Sequence, residues 1–129
     1  TGPLTPGEWV WQAGPRESVA LFGASGGSAR AALRCERASR RIRIERAIEQ
    51  PVSGQPPLAL RTSFALRSVP VTGQVASPPM LSAELPASDP LFDQMIYSRG
   101  RFVIEGGGQV PIIVPARPEI ARVVEDCRS

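Results

Sequence analysis

The chain contains no histidine, no lysine and no asparagine. Without histidine there is no base for a Ser-His-Asp triad and no imidazole to complete a zinc site. Without lysine there is no Ser–Lys dyad and no Walker-type phosphate loop. Aromatic residues make up only 5%, so the core must be built mainly from Val, Ile, Leu and Ala. No apolar run approaches the ~20 residues that a membrane-spanning helix requires. Cysteine is limited to Cys35 and Cys127, and the absence of CxxC spacing removes the usual structural zinc sites. Neither a metal nor a cofactor is expected.

What is present fits one domain. At 129 residues, 42% of them hydrophobic, the chain is long enough for one core and too short for two. Residues 1–7, with two prolines and two glycines, read as a flexible leader or tether, and 8–129 as a single β-rich domain. The chain starts at Thr1 rather than Met, so a processed or trimmed product is expected; any signal peptide or lipid-bearing cysteine of a precursor would have been cut away with the removed segment. All 15 basic residues are arginine and the net charge is +3. Arginine stays charged at any relevant pH and offers a planar fork to carboxylates and phosphates, but so mild a net charge does not imply nucleic acid.

Short alternating runs dominate the order of the chain. Glu8–Gln12 places Trp9 and Trp11 on one face. Ser18–Phe22 is a second strand. Arg30–Glu36 turns Leu33 and Cys35 inward, and Arg41–Arg46 turns Ile42 and Ile44 inward, the clearest hairpin in the first half. Leu58–Val69 reads as one long strand, with Leu58, Leu60, Thr62, Phe64 and Leu66 on one face and Arg61, Ser63, Ala65 and Arg67 on the other. Pro70 to Pro79 interrupts the pattern and Met80–Leu85 resumes it. Asp89 caps a helix with Pro90 at its first position, Phe102–Glu105 and Val110–Val114 form a hairpin about Gly106-Gly107-Gly108, and Pro118 opens a closing helix. The expected fold is mainly β: a single antiparallel sandwich or barrel of about seven or eight strands, with two short helices in the C-terminal third.

In the closing helix Ile120, Val123, Val124 and Cys127 recur at i, i+3, i+4 and i+7, one apolar stripe. Cys127 therefore faces the sheet, as Cys35 does from its strand, and the two are expected to bridge; two buried thiols are the alternative.

Several motifs carry less than they promise. Gly23-Ala24-Ser25-Gly26-Gly27 matches G-x-S-x-G, yet it has no histidine to serve it and reads as a loop of small residues. Asp89 and Asp93 share a helix face as paired carboxylates do, but helix capping and the first-turn dipole account for both. Trp9 and Trp11 fit either a stacking platform for sugars or bases, or one core residue and one edge residue. The arginines form the most distinctive pattern, with seven between Arg30 and Arg46. Parity turns Arg34, Arg41 and Arg43 outward, and Arg61 and Arg67 with them. If the 58–69 strand pairs with 41–46, these five line one anion-binding face; otherwise they are solvated surface.

Ser98-Arg99-Gly100-Arg101-Phe102, the glycine hairpin, Pro115-Ala116-Arg117-Pro118-Glu119-Ile120 and Glu125-Asp126-Cys127 resemble the endings of uncharacterised exported alphaproteobacterial proteins. The layout, with an early Trp strand, a mid-chain Cys, a short helix, a hairpin and a C-terminal helix, resembles that of invasion-associated locus B proteins. Both likenesses imply a β-rich envelope protein, periplasmic or extracellular, and neither implies a reaction.

The sequence therefore points to a non-catalytic exported binding or accessory module, with no catalytic residues, no metal and no cofactor. Its expected partner is another envelope protein or an anionic surface. The rival readings are a polyanion- or nucleic-acid-binding module using the arginine face, and a carboxylate-only enzyme acting on glycans. Few interleaved aromatics weigh against nucleic acid.

Overall fold

Period-two alternation closes the first half of the chain into a meander. In the computed structural model, which describes residues 2–76 and 78–129, β1 (Glu8–Ala13), β2 (Glu17–Gly23), β3 (Ala31–Glu36) and β4 (Arg41–Ala47) pair in succession. The chain then leaves this sheet for β5 (Leu58–Arg61) and β6 (Leu66–Val69) and returns for β7 (Gly73–Ala76) and β8 (Pro79–Pro86). Helix α1 (Pro90–Ile96), the hairpin β9 (Arg101–Gly106) and β10 (Ile112–Pro115), and helix α2 (Pro118–Arg128) follow. Two open antiparallel sheets result, six strands ordered β1-β2-β3-β4-β8-β7 and four ordered β10-β9-β5-β6. The mainly β sandwich and its two C-terminal helices match expectation; the barrel alternative does not form, and ten strands among the described residues exceed the expected number. Thr1, in the expected leader, and Ser77, in the expected interruption, lie outside the described residues. Thr5 of that leader exchanges hydrogen bonds with Ile113 on the β10 edge, its N–H donating at 2.8 Å and its Oγ1 accepting at 2.9 Å.

The extra strands come from two places. β7 lacks alternating large side chains and forms only a short edge ladder with β8. The 58–69 run divides, because Thr62 N–H donates to Ala65 O at 2.9 Å and Thr62 Oγ1 accepts from the Phe64 and Ala65 amides. Such hydroxyl-anchored turns compete with extended structure. The turn also reverses face parity: Leu58 pairs with Val69, Leu60 with Arg67 and Arg61 with Leu66. Leu66 and Phe64, expected on the apolar face, are therefore exposed.

The register of the larger sheet aligns its inward residues in rows. Ser18, Cys35, Ile42 and Leu85 form one; Ala20, Leu33, Ile44 and Ala83 the next; Phe22, Ala31, Arg46 and Leu81 the third. Helix α2 packs over β2 and β3 near the first two rows, and its stripe Ile120, Val123, Val124 and Cys127 is fully buried. Cys127 is bridged to Cys35 across 5.7 Å between Cα atoms. The smaller sheet contributes Leu58, Leu60, Phe102 and Ile104 to the same core. Trp9 is buried between Phe22 and Phe102, with centroids at 5.3 and 6.5 Å, and its Nε1 donates to Pro115 O.

Arg46 occupies an inward position of the third row and is only 1% exposed. Its guanidinium donates to the carbonyls of Ala47, Ile104 and Val110, the last at 2.9 Å, which ties β4 to the β9–β10 hairpin. Burial, with a smaller contribution from Arg30, lowers its pKa to about 10, so it remains charged at neutral pH. At the hairpin tip Gly107 has φ 65° and a Cβ there would lie 3.0 Å from Leu81, so both backbone and space call for glycine.

Candidate functional site

The five arginines expected on one face are distributed over three environments. Arg34, Arg41 and Arg43 do stand on the outer face of the six-stranded sheet, with Arg34 directly opposite Arg43. They are interleaved with carboxylates: Arg34 lies 3.6 Å from Glu17 and 3.3 Å from Glu45, Arg43 3.3 Å from Glu45, and Arg41 2.9 Å from Glu84. The β2, β3, β4 and β8 positions on this face hold three arginines and four glutamates, so it is not cationic.

Arg61 and Arg67 belong to the other sheet, because β4 pairs with β8 rather than with the 58–69 segment. The reversed parity after Thr62–Ala65 sends Arg67 to the core-facing side. There it grips Asp89 with two bonds of 2.9 and 3.0 Å. Asp89 also caps α1, accepting from Leu91 N–H at 2.9 Å. The Arg67 hydrogen bonds hold the Asp89 carboxyl below its usual range, against the opposing effect of burial. Asp93 is lowered in the same way by a bidentate pair with Arg128, at 2.9 and 3.0 Å. Asp89 takes the capping role expected of it, and Asp93 stands in the first turn of α1 as expected, held there by Arg128 of α2.

The tryptophans are similarly committed. Trp9 is core, and Trp11 is covered by Arg122 at 3.8 Å from its ring centroid. Trp11 Nε1 donates to Ser18 Oγ, which donates in turn to Asp126 of α2 at 2.7 Å. Gly23-Ala24-Ser25-Gly26-Gly27 spans the end of β2 and the loop after it.

A cationic site forms where the sequence placed only one of its members. At the β5–β6 turn Ser63 Oγ accepts from Arg99 N–H at 2.7 Å, and Ser63 N–H donates to Ser98 Oγ at 3.0 Å. These bonds dock the turn against the α1–β9 connection. Arg61, Arg99 and Arg101 thereby converge on one open cleft of about 470 Å³, with Ser63 and Val103 also in its wall. Glu105 lies 3.7 Å from Arg61, and among the described residues Arg99 and Arg101 enter no ion pair. Arg101 donates to the carbonyl of Gly2, which leaves most of its fork available. Strand parity links Arg101 to Val103 and Glu105 on the outer face of β9. Arg99, in the turn after α1, has no periodicity to expose its neighbours, and only the Ser98-Arg99-Gly100-Arg101 spacing hinted at the pair.

Among the described residues there is no group of three or more His, Cys, Asp or Glu side chains that could hold a metal, and no helix is long and apolar enough to cross a membrane. No protein-family model, curated protein or solved structure matches the chain.

Proposed function

We propose that the protein is a non-catalytic, exported binding module of a bacterial envelope that engages an anionic partner through the cleft of Arg61, Arg99 and Arg101. The observation that carries this reading is that three arginines from two segments, Arg61 of β5 and Arg99 and Arg101 around the start of β9, line one cleft, with Glu105 the one carboxylate that pairs with any of them among the described residues. Planar forks of this kind recognise phosphate, sulfate or carboxylate groups bidentately. Export is supported by the Cys35–Cys127 bridge, since such bonds persist in oxidising compartments. A binding role is supported by the state of Asp89 and Asp93, whose arginine partners favour the ionised form and oppose use as a general acid.

Retention on heparin, a soluble polyanion, tests the cleft. Replacing Arg99 and Arg101 with Gln is expected to lower the eluting salt concentration clearly and flatten the salt dependence of binding by about two counterions. Elution unchanged by the double substitution overturns the reading. A signal peptide or lipid-attachment sequence encoded upstream is the expected genetic counterpart of export.

A further inference from the structure

The arginine cleft opens on a sheet face that also carries apolar side chains and is bordered at Ile113 and Arg101 by Gly2 of the leader. On the outside of the four-stranded sheet one cross-strand row runs Ile113, Val103, Arg61, Leu66. Leu66 is 55% exposed, and Phe64, at the tip of the adjoining β5–β6 turn, is 57% exposed. The Ser63–Ser98 and Ser63–Arg99 bonds bring the segment holding exposed Tyr97 beside that tip. Apolar side chains and the guanidinium groups of Arg99 and Arg101, which enter no ion pair among the described residues, therefore share one end of the molecule, in contrast to the outer face of the six-stranded sheet, where arginines alternate with glutamates.

We propose that this face docks on a membrane leaflet containing anionic phospholipid, with Arg61, Arg99 and Arg101 meeting lipid phosphates and Phe64 and Leu66 entering the headgroup region. The inference rests on the anion-binding reading of the cleft and names the source of the anion. A soluble anion requires only the guanidinium groups and leaves Phe64 and Leu66 in water. A lipid surface accounts for both, because polybasic attraction and shallow apolar insertion reinforce one another at an interface.

The test is co-sedimentation of the intact, oxidised protein with vesicles of phosphatidylcholine alone and with vesicles in which phosphatidylglycerol replaces a third of it. Preference for the anionic vesicles by about tenfold or more is expected, declining with added salt. The R99Q/R101Q double variant is expected to lose about thirtyfold of that binding. The F64S/L66S double variant is expected to lose vesicle binding by about tenfold while keeping its heparin retention, since both side chains are exposed and neither is needed for soluble anions. Heparin retention that depends on Arg99 and Arg101, without vesicle binding, overturns the membrane inference and leaves the cleft reading standing. Loss of arginine dependence in both assays overturns both. Arginine-dependent vesicle binding unaffected by F64S/L66S shows attraction to the cleft without apolar insertion and also overturns the inference.

Discussion

Arg46 and Arg67 show how the same residue type is used in opposite ways. Arg46 is buried on the core face and donates to three carbonyls from β4 and the β9–β10 hairpin. Its folded pKa of about 10 lies below the ordinary value, chiefly because burial disfavours the charge. That linkage opposes folding at neutral pH and relaxes only as pH rises through about 10; the carbonyl bonds offset it. Replacing Arg46 with Met keeps much of the volume but leaves the Ile104 and Val110 carbonyls without their donor. A loss of about 1–3 kcal/mol in urea unfolding is expected. Arg67 instead stabilises a half-buried carboxylate. Because the Asp89 pKa is lowered in the folded state, its stabilisation is fully present above the unfolded value of 3.8 and is lost as pH falls through the lower, folded value. Replacing Arg67 with Gln should therefore destabilise the protein by about 1 kcal/mol at neutral pH. Thermal unfolding measured from neutral to strongly acid pH should show the two proteins converging once Asp89 is protonated in both.

Among elements, α2 depends most on a distant partner. Cys35 and Cys127 are separated by 92 residues, and the chain-entropy model assigns a loop of this size about 4–5 kcal/mol. Intact mass should reveal no alkylated thiols until reductant is added, and reduction should lower the urea midpoint with loss of amide protection concentrated in α2. The pairing was legible in the sequence because both cysteines share an apolar stripe with residues whose periodicity is unambiguous: Leu33 on the strand, and Ile120, Val123 and Val124 on the helix. The cap at Asp89 and the glycine hairpin were legible for the same local reason. The course of 58–69 was not. Thr62 and Ser63 are ordinary strand residues by composition, and the turn they form is recognisable only from the hydroxyl bonds to Phe64 and Ala65. One turn shifted every later residue to the opposite face, exposing Phe64 and Leu66 and sending Arg67 inward. Arg46 was missed differently: its parity with Ile42 and Ile44 places it in the core, but three carbonyls that accept its protons come from residues more distant in sequence or from its own backbone neighbour, and no pattern announces them.

At the scale of the whole molecule, arginine count alone does not identify a cationic face; the distribution of carboxylates does. The outer face of the six-stranded sheet holds Arg34, Arg41 and Arg43 within reach of Glu17, Glu45 and Glu84. Anions approaching it meet as much negative charge as positive, and each guanidinium would have to leave a carboxylate before binding a new partner. The cleft at the outer face of the four-stranded sheet is lined by Arg61, Arg99 and Arg101, and among the described residues Glu105, beside Arg61, is the one carboxylate that pairs with any of them. Two double substitutions that remove the same formal charge should thus behave differently. Exchanging Arg41 and Arg43 for Gln should shift heparin elution only slightly, by the long-range effect of net charge, and destabilise the sheet by no more than about 1–2 kcal/mol through lost surface pairs. Exchanging Arg99 and Arg101 should shift elution markedly and leave thermal unfolding nearly unchanged, because neither side chain enters an ion pair among the described residues. Side-by-side elution and melting curves for the two variants check the contrast. Equal elution shifts would mean that the protein responds to polyanions through its net charge, with neither sheet face selected.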